Sequence, residues 1–115
     1  MHELAIASAI VERAQAVAQA NGGGRVLKLG LRVGEISGVD PDALTFGIDA
    51  LCRGTPLEGV ALEMERPKRR QRCAACKTEF EPEGFLVACP ACQHQTSECI
   101  AGTELDVTYI ELEDP

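Results

Sequence analysis

The chain has 115 residues and a formal net charge of −7, with 45% apolar residues, 3% aromatics and no tryptophan. That charge argues against general binding of nucleic acid, where a basic surface supplies most of the affinity. No run of about 18 apolar residues occurs, so no membrane-spanning helix is expected, and Met1-His2-Glu3 lacks the basic start and apolar core of a signal peptide, which points to the cytoplasm.

From Leu4 to about Ala20, apolar residues fall at Leu4, Ile6, Ala7, Ile10, Val11, Ala14, Val17 and Ala18. The spacing predicts a helix with one buried face. Asn21-Gly22-Gly23-Gly24 ends it. Leu27, Leu29, Leu31 and Val33 then alternate with Lys28, Gly30 and Arg32, which predicts a strand with one buried face. Asp40-Pro41 reads as an N-cap followed by proline at the first helical position. A second helix follows to about Cys52, with Leu44, Ile48 and Leu51 inward, and Gly54 and Pro56 close it. Val60, Leu62 and Met64 mark a second strand. A third carries Leu105, Val107 and Tyr109, and its phase slips to Ile110 and Leu112, which suggests a bulge or an edge.

Between the last two strands the composition changes. Arg66-Pro67-Lys68-Arg69-Arg70-Gln71-Arg72 holds five of the eleven basic residues, and four cysteines follow at once. The chain therefore reads as an α+β unit, two helices packed on a three-stranded sheet, formed by 1–66 plus 100–115. A cysteine-bearing unit at 67–99 is inserted into it.

Cys73, Cys76, Cys89 and Cys92 form two Cys-x2-Cys pairs. Two residues between cysteines let a tight turn aim both sulfurs at one ion, and two such turns complete a tetrahedron of thiolates. In a reducing compartment this spacing points to zinc before disulfides. A rubredoxin-like iron site would use the same ligands, but the aromatic surroundings such sites usually have are missing. Four sulfurs leave no open coordination position, so the site is structural on ligand count. With Phe80 and Phe85 as its only aromatic groups, the segment depends on the metal to fold, and structural zinc supplies roughly 10–16 kcal/mol. The basic run just upstream is expected to offset the net negative charge of the metal–thiolate group. Glycine often follows the second cysteine of such a turn; Lys77 and Gln93 stand there, so looser turns are expected. Cys52 reads as a small buried apolar residue, and Cys99 as a spare thiol.

The first residues carry a second metal-binding pattern. The Met1 amine, the His2 backbone nitrogen and the His2 imidazole Nδ1 can close a five-membered and a six-membered chelate ring on one ion, with Glu3 supplying a fourth ligand. A planar nitrogen-rich set suits Ni(II) or Cu(II). The plain alternatives are a histidine at position two by chance, and a Glu3 whose carboxylate favours the helix dipole.

Met1-His2-Glu3-Leu4, Gly34-Glu35, the four cysteines, Gly102-Thr103-Glu104-Leu105 and Ile110-Glu111-Leu112-Glu113 together resemble the HypA/HybF family of nickel-insertion accessory proteins for [NiFe]-hydrogenase maturation. The resemblance spans essentially the whole chain. It implies nickel as cargo at Met1, His2 and Glu3, and structural zinc at Cys73, Cys76, Cys89 and Cys92. It implies delivery to the precursor of the hydrogenase large subunit with the help of the nickel-binding GTPase HypB, and for some members a role in urease maturation. Some members add a histidine of the zinc domain to the nickel site. His94 is the candidate here, although the Gly-Ser usual after the last cysteine is absent; a solvated loop histidine is the alternative. Gly22-Gly23-Gly24 lacks the Lys-Ser/Thr of a phosphate-binding loop, so nucleotide chemistry falls to the partner. The expected protein is a carrier and not an enzyme, monomeric or homodimeric. The rival reading is a zinc ribbon binding nucleic acid through Lys68, Arg69, Arg70 and Arg72. It is opposed by the acidic remainder and the lack of stacking aromatics.

Overall fold

A computed structural model describes residues 2–84 and 88–114. Met1, expected to bind nickel, and Phe85 lie outside the described residues. The order of elements is α1 (Glu3–Ala20), β1 (Val26–Val33), α2 (Pro41–Cys52), β2 (Ala61–Glu65), β3 (Arg70–Cys73), β4 (Glu79–Phe80), β5 (Ser97–Ala101) and β6 (Leu105–Leu112).

The strands make two sheets. The first has the order β2-β1-β6 and is covered on one face by the helices; the second, β4-β3-β5, carries the cysteines. β1 runs parallel to β2, from Lys28 opposite Ala61 to Arg32 opposite Glu65, and antiparallel to β6. α2 is the crossover that a parallel pair requires.

α1 ends where the Asn21 side chain donates to Val17 O (2.8 Å) and the Gly23 N–H to Ala18 O (2.7 Å). α2 starts at Asp40, whose carboxylate accepts from the N–H groups of Asp42 (3.0 Å) and Ala43 (3.2 Å). These are two of the donors that a helix start leaves without partners. The helices meet at small residues. A methyl group at Gly47 would stand 3.2 Å from Ala7 Cβ.

The core joins Ala7, Ile10, Val11, Ala14 and Ala18 of α1 to Leu44 and Ile48 of α2 and to Val26, Leu29, Leu31 and Val33 of β1. Three sequence expectations change. Leu27 is 44% exposed and Val26 is buried in its place, because the β1–β6 register shifts between Val26 and Lys28. A bulge there turns one residue to the other face. In β6, Gly30 faces Tyr109 while Leu31 faces Val107, so Thr108 is the extra residue. The slip expected from the pattern is real, and it leaves Val107, Ile110 and Leu112 packed on the core with Leu105 and Tyr109 exposed. The third change is Leu4, on the expected buried face but 62% exposed.

The opposite face of the first sheet is polar. Lys28 lies 3.5 Å from Glu63, and Arg32 3.0 Å from Glu65. Tyr109 covers Gly30 so closely that a Cβ at Gly30 would fall 2.2 Å from its ring. No helix is long and apolar enough to cross a membrane among the described residues.

The molecule measures 55 × 25 × 17 Å with a radius of gyration of 18.0 Å. A compact chain of this length would have about 13 Å. The excess reflects two small sheets with separate buried clusters, the second formed by Cys73, Phe80 and Cys89.

Candidate metal centre

Cys73 ends β3, and Cys89 lies in the turn before β5. Each opens a turn of the same design. The Lys77 N–H donates to Cys73 O (3.1 Å), and the Cys73 N–H to Thr78 O (2.9 Å). In the second turn the Gln93 N–H donates to Cys89 O (2.8 Å), and the Cys89 N–H to His94 O (2.9 Å). Lys77 and Gln93 adopt φ of 66° and 67°. These are the positions where glycine is common, and a side chain there is strained. The two turns nonetheless close with matching hydrogen bonds, so they are not looser for lacking glycine.

The four sulfurs converge. All lie within 4.8 Å of one another, with Cys73 Sγ 3.5 Å from Cys92 Sγ and Cys76 Sγ 3.6 Å from Cys89 Sγ. A disulfide needs about 2.05 Å. A tetrahedron of sulfurs at about 2.3 Å from zinc has edges of about 3.8 Å. The spacing fits the second and not the first. Backbone N–H groups of Ala75 (3.3 Å) and Cys76 (3.5 Å) point at Cys73 Sγ, and Thr78 Oγ1 lies 3.1 Å from Cys76 Sγ. Such donors favour thiolates.

Packing four thiols so closely splits their acidities. The Thr78 hydroxyl, then its backbone N–H, lowers Cys76 to about 6. At Cys92 a backbone hydrogen bond from His94 lowers the pKa, but Cys73, burial, Cys76 and Cys89 together outweigh it and push the thiol up to about 12. Four negative sulfurs in this volume need a cation among them. The group is therefore a four-cysteine metal-binding site, compatible with structural zinc.

Three arginines of the basic run have partners of their own. Arg70 pairs with Glu79 and Glu81 (3.7 Å each), Arg72 with Glu79 (3.3 Å), and Arg66 Nε donates to Val33 O (2.8 Å). These arginines hold strands and linker together. Sequence reasoning also missed Thr78, which carried no spacing signal.

In the helix–sheet unit, His2 is the N-cap residue of α1, exposed and making no side-chain cap hydrogen bond. Glu3 Oε2 accepts the Asp40 N–H at 3.0 Å, and this bond holds its carboxyl below the usual range. His2 and Glu3 open onto a cleft of about 800 Å³ shared with Leu4, Phe46 and Gly47, and Phe46 is 74% exposed there. His94 lies in the second cysteine turn, its side chain exposed. Cys52 is buried, and that burial raises its pKa, while Cys99 is exposed.

A family model described as "Hydrogenase/urease nickel incorporation, metallochaperone, hypA" matches residues 1–112. The chain belongs to the HypA family. Among HypA relatives, the hydrogenase maturation factor HypA of Geobacter metallireducens is 41% identical over 98% of this chain and 100% of its own length. The factors of the same name from Chlorobaculum tepidum and Geotalea uraniireducens are 38% and 39% identical, again over 98% of this chain and 100% of their own length. The solution structure of the nickel metallochaperone HypA from Helicobacter pylori has the same fold, with a TM-score of 0.65 at 18% identity over 97% of both chains. A second HypA solution structure gives 0.74 at 18% identity, over 98% of this chain and 97% of its own. As a HypA-family protein, this chain is a hydrogenase maturation factor of the nickel metallochaperone class.

Proposed function

We propose that the chain carries Ni(II) on its first three residues while zinc holds the cysteine ribbon together. Nickel is bound by the Met1 amine, the His2 backbone nitrogen and imidazole, and Glu3. Zinc is bound by Cys73, Cys76, Cys89 and Cys92. The helix–sheet unit presents the nickel, and the β4-β3-β5 sheet with its cysteine turns is the ribbon. The family match over 1–112 carries the reading. The exposed imidazole at the start of α1, which makes no side-chain cap hydrogen bond, supports it, because an exposed ligand can be exchanged stepwise with a receiving protein. A closed four-sulfur set suits scaffolding and not transfer.

On this reading the protein is a carrier and not an enzyme, and it works in the cytoplasm as a monomer or homodimer. Its receiver is the precursor of the [NiFe]-hydrogenase large subunit, with HypB as the GTPase partner; urease maturation is the other client class named with the family. The nucleic-acid reading loses ground, since Arg70 and Arg72 are paired with glutamates.

The test is metal analysis with nickel X-ray absorption on wild type and His2→Ala. Loss of nickel with zinc retained is the expected result; nickel retained by His2→Ala sinks the assignment. Adding one residue before Met1 tests the amine. Unchanged nickel affinity would remove it from the ligand set.

A further inference from the structure

The Gly34-Glu35 and Gly102-Thr103-Glu104 segments belong to neither metal site. They meet where the chain passes between the two sheets. It makes that passage twice, after β2 through 66–69 and back after β5 through 102–104. No strand of one sheet packs extensively against a strand or helix of the other unit among the described residues, so the two passages must set the relative orientation.

The turn after β1 grips both. On the outgoing passage, the Glu35 N–H donates to Pro67 O (2.9 Å) and Glu35 Oε2 accepts the Arg69 N–H (2.8 Å). On the returning passage, the Gly34 N–H donates to Glu104 O (2.8 Å) and the Ile36 N–H to Gly102 O (2.8 Å). Glu104 Oε1 accepts the Gly102 N–H (2.7 Å). The glycines allow the approach. A Cβ at Gly34 would fall 2.1 Å from Gly102 O. Gly102 has φ +111°, and a Cβ on it would fall 2.7 Å from Arg69 Cα. Both contacts are with backbone, which cannot yield as a flexible side chain can.

We propose that Gly34-Glu35 and Gly102-Thr103-Glu104 form a clasp that locks the orientation of the cysteine ribbon on the helix–sheet unit, with Glu35 and Glu104 as positioning residues. Linkers this short without the clasp would leave two small units free to swivel, the default for domains that share little interface. The backbone bonds to both passages hold only while the Glu35 carboxylate fixes the Arg69 N–H and the Glu104 carboxylate fixes the Gly102 N–H, and with both in place the units turn as one body. The inference does not rest on the nickel reading.

The test is 15N NMR relaxation on the full chain with its zinc bound. In wild type, amides of β3–β5 and amides of α1, α2 and β1 share one rotational correlation time. Glu35→Ala with Glu104→Ala removes both carboxylate contacts. The ribbon's correlation time then falls below that of the helix–sheet unit, while helical circular dichroism and zinc content stay at wild-type values. Glu35→Gln keeps an acceptor oxygen and retains most of the coupling. Separate correlation times in wild type, or a shared one in the folded double variant, would overturn the proposal. If the double variant does not fold, Glu35→Ala alone, which loses only the Arg69 contact, is read the same way.

Discussion

Glu3 Oε2 accepts the backbone N–H of Asp40 at 3.0 Å, so the first turn of α1 is tied to the residue that caps α2. One end of the Asp40 residue receives the helix start, through its carboxylate on Asp42 and Ala43. The other is held by Glu3. The start of the chain is thereby seated on a rigid helix N-terminus, next to His2.

Two variants separate these roles. Asp40→Ala removes the cap of α2 and is expected to cost about 1 kcal/mol in a denaturant titration. Glu3→Ala leaves the cap in place but frees the Asp40 amide, so that amide exchanges hydrogen faster while the Asp42 and Ala43 amides do not. Glu3→Gln, which keeps an acceptor oxygen, should restore its protection.

Metal removal should act on one sheet only. The ribbon's buried cluster is Cys73, Phe80 and Cys89, separate from the helix-covered core. A chelator at neutral pH should therefore abolish amide protection in β3 and β5 and leave the helical circular dichroism of α1 and α2 nearly unchanged. Loss of both together would show that the helix–sheet core depends on the ribbon.

Much of this architecture was legible in the sequence. The two helices, their caps, the three long strands and the cysteine cluster each rest on a local signal: period, proline, glycine or spacing. What escaped was set by a partner. Val26 and Leu27 are both apolar, so the bulge that buries one and exposes the other leaves no trace in β1 alone. In β6 the same kind of slip breaks the apolar alternation itself, and there it could be read. Glu35 was visible as part of a family resemblance, but its contact with Arg69 lies across 34 residues. The pairing of Arg70 and Arg72 with Glu79 and Glu81 also escaped, because it depends on how β3 lies against the β4 segment and not on a local pattern.

The single tyrosine offers a clean titration, since the chain has no tryptophan. The hydrogen bond to Glu63 raises Tyr109 to about 12 from an ordinary 10, and Glu63 is lowered in return. The folded state thus holds the phenol proton more tightly than the unfolded chain. The associated stability is present below about pH 10 and is lost as pH rises through the folded value. Ultraviolet absorbance of the tyrosinate should show the raised midpoint in wild type and a return toward 10 in Glu63→Ala.

Gly30→Ala should disturb the same spot sterically. The new methyl would overlap the Tyr109 ring, and Thr108 Oγ1 lies 2.6 Å from its position. Because the ring is on an exposed face it can move aside, so a loss of about 1 kcal/mol is expected, at the low end for overpacking. Tyr109→Ala in the same chain should recover part of it.

Nickel affinity should fall with acidity. The proposed ligand set needs a neutral imidazole at His2 and a deprotonated backbone amide. A nickel titration at about pH 7.5 and at about pH 6, on either side of the ordinary histidine range, is expected to give clearly weaker binding at the lower value. Equal affinity at both would remove these groups from the set.

The position of β6 bears on how the protein is made. β1 is the middle strand, but its antiparallel neighbour follows the whole ribbon in the chain. During synthesis the helices and β1–β2 emerge first, with the apolar face that awaits Val107, Ile110 and Leu112 still open. That face cannot close until all four cysteines have left the ribosome. The larger core therefore stays exposed to aggregation for as long as the ribbon and β6 take to be synthesised.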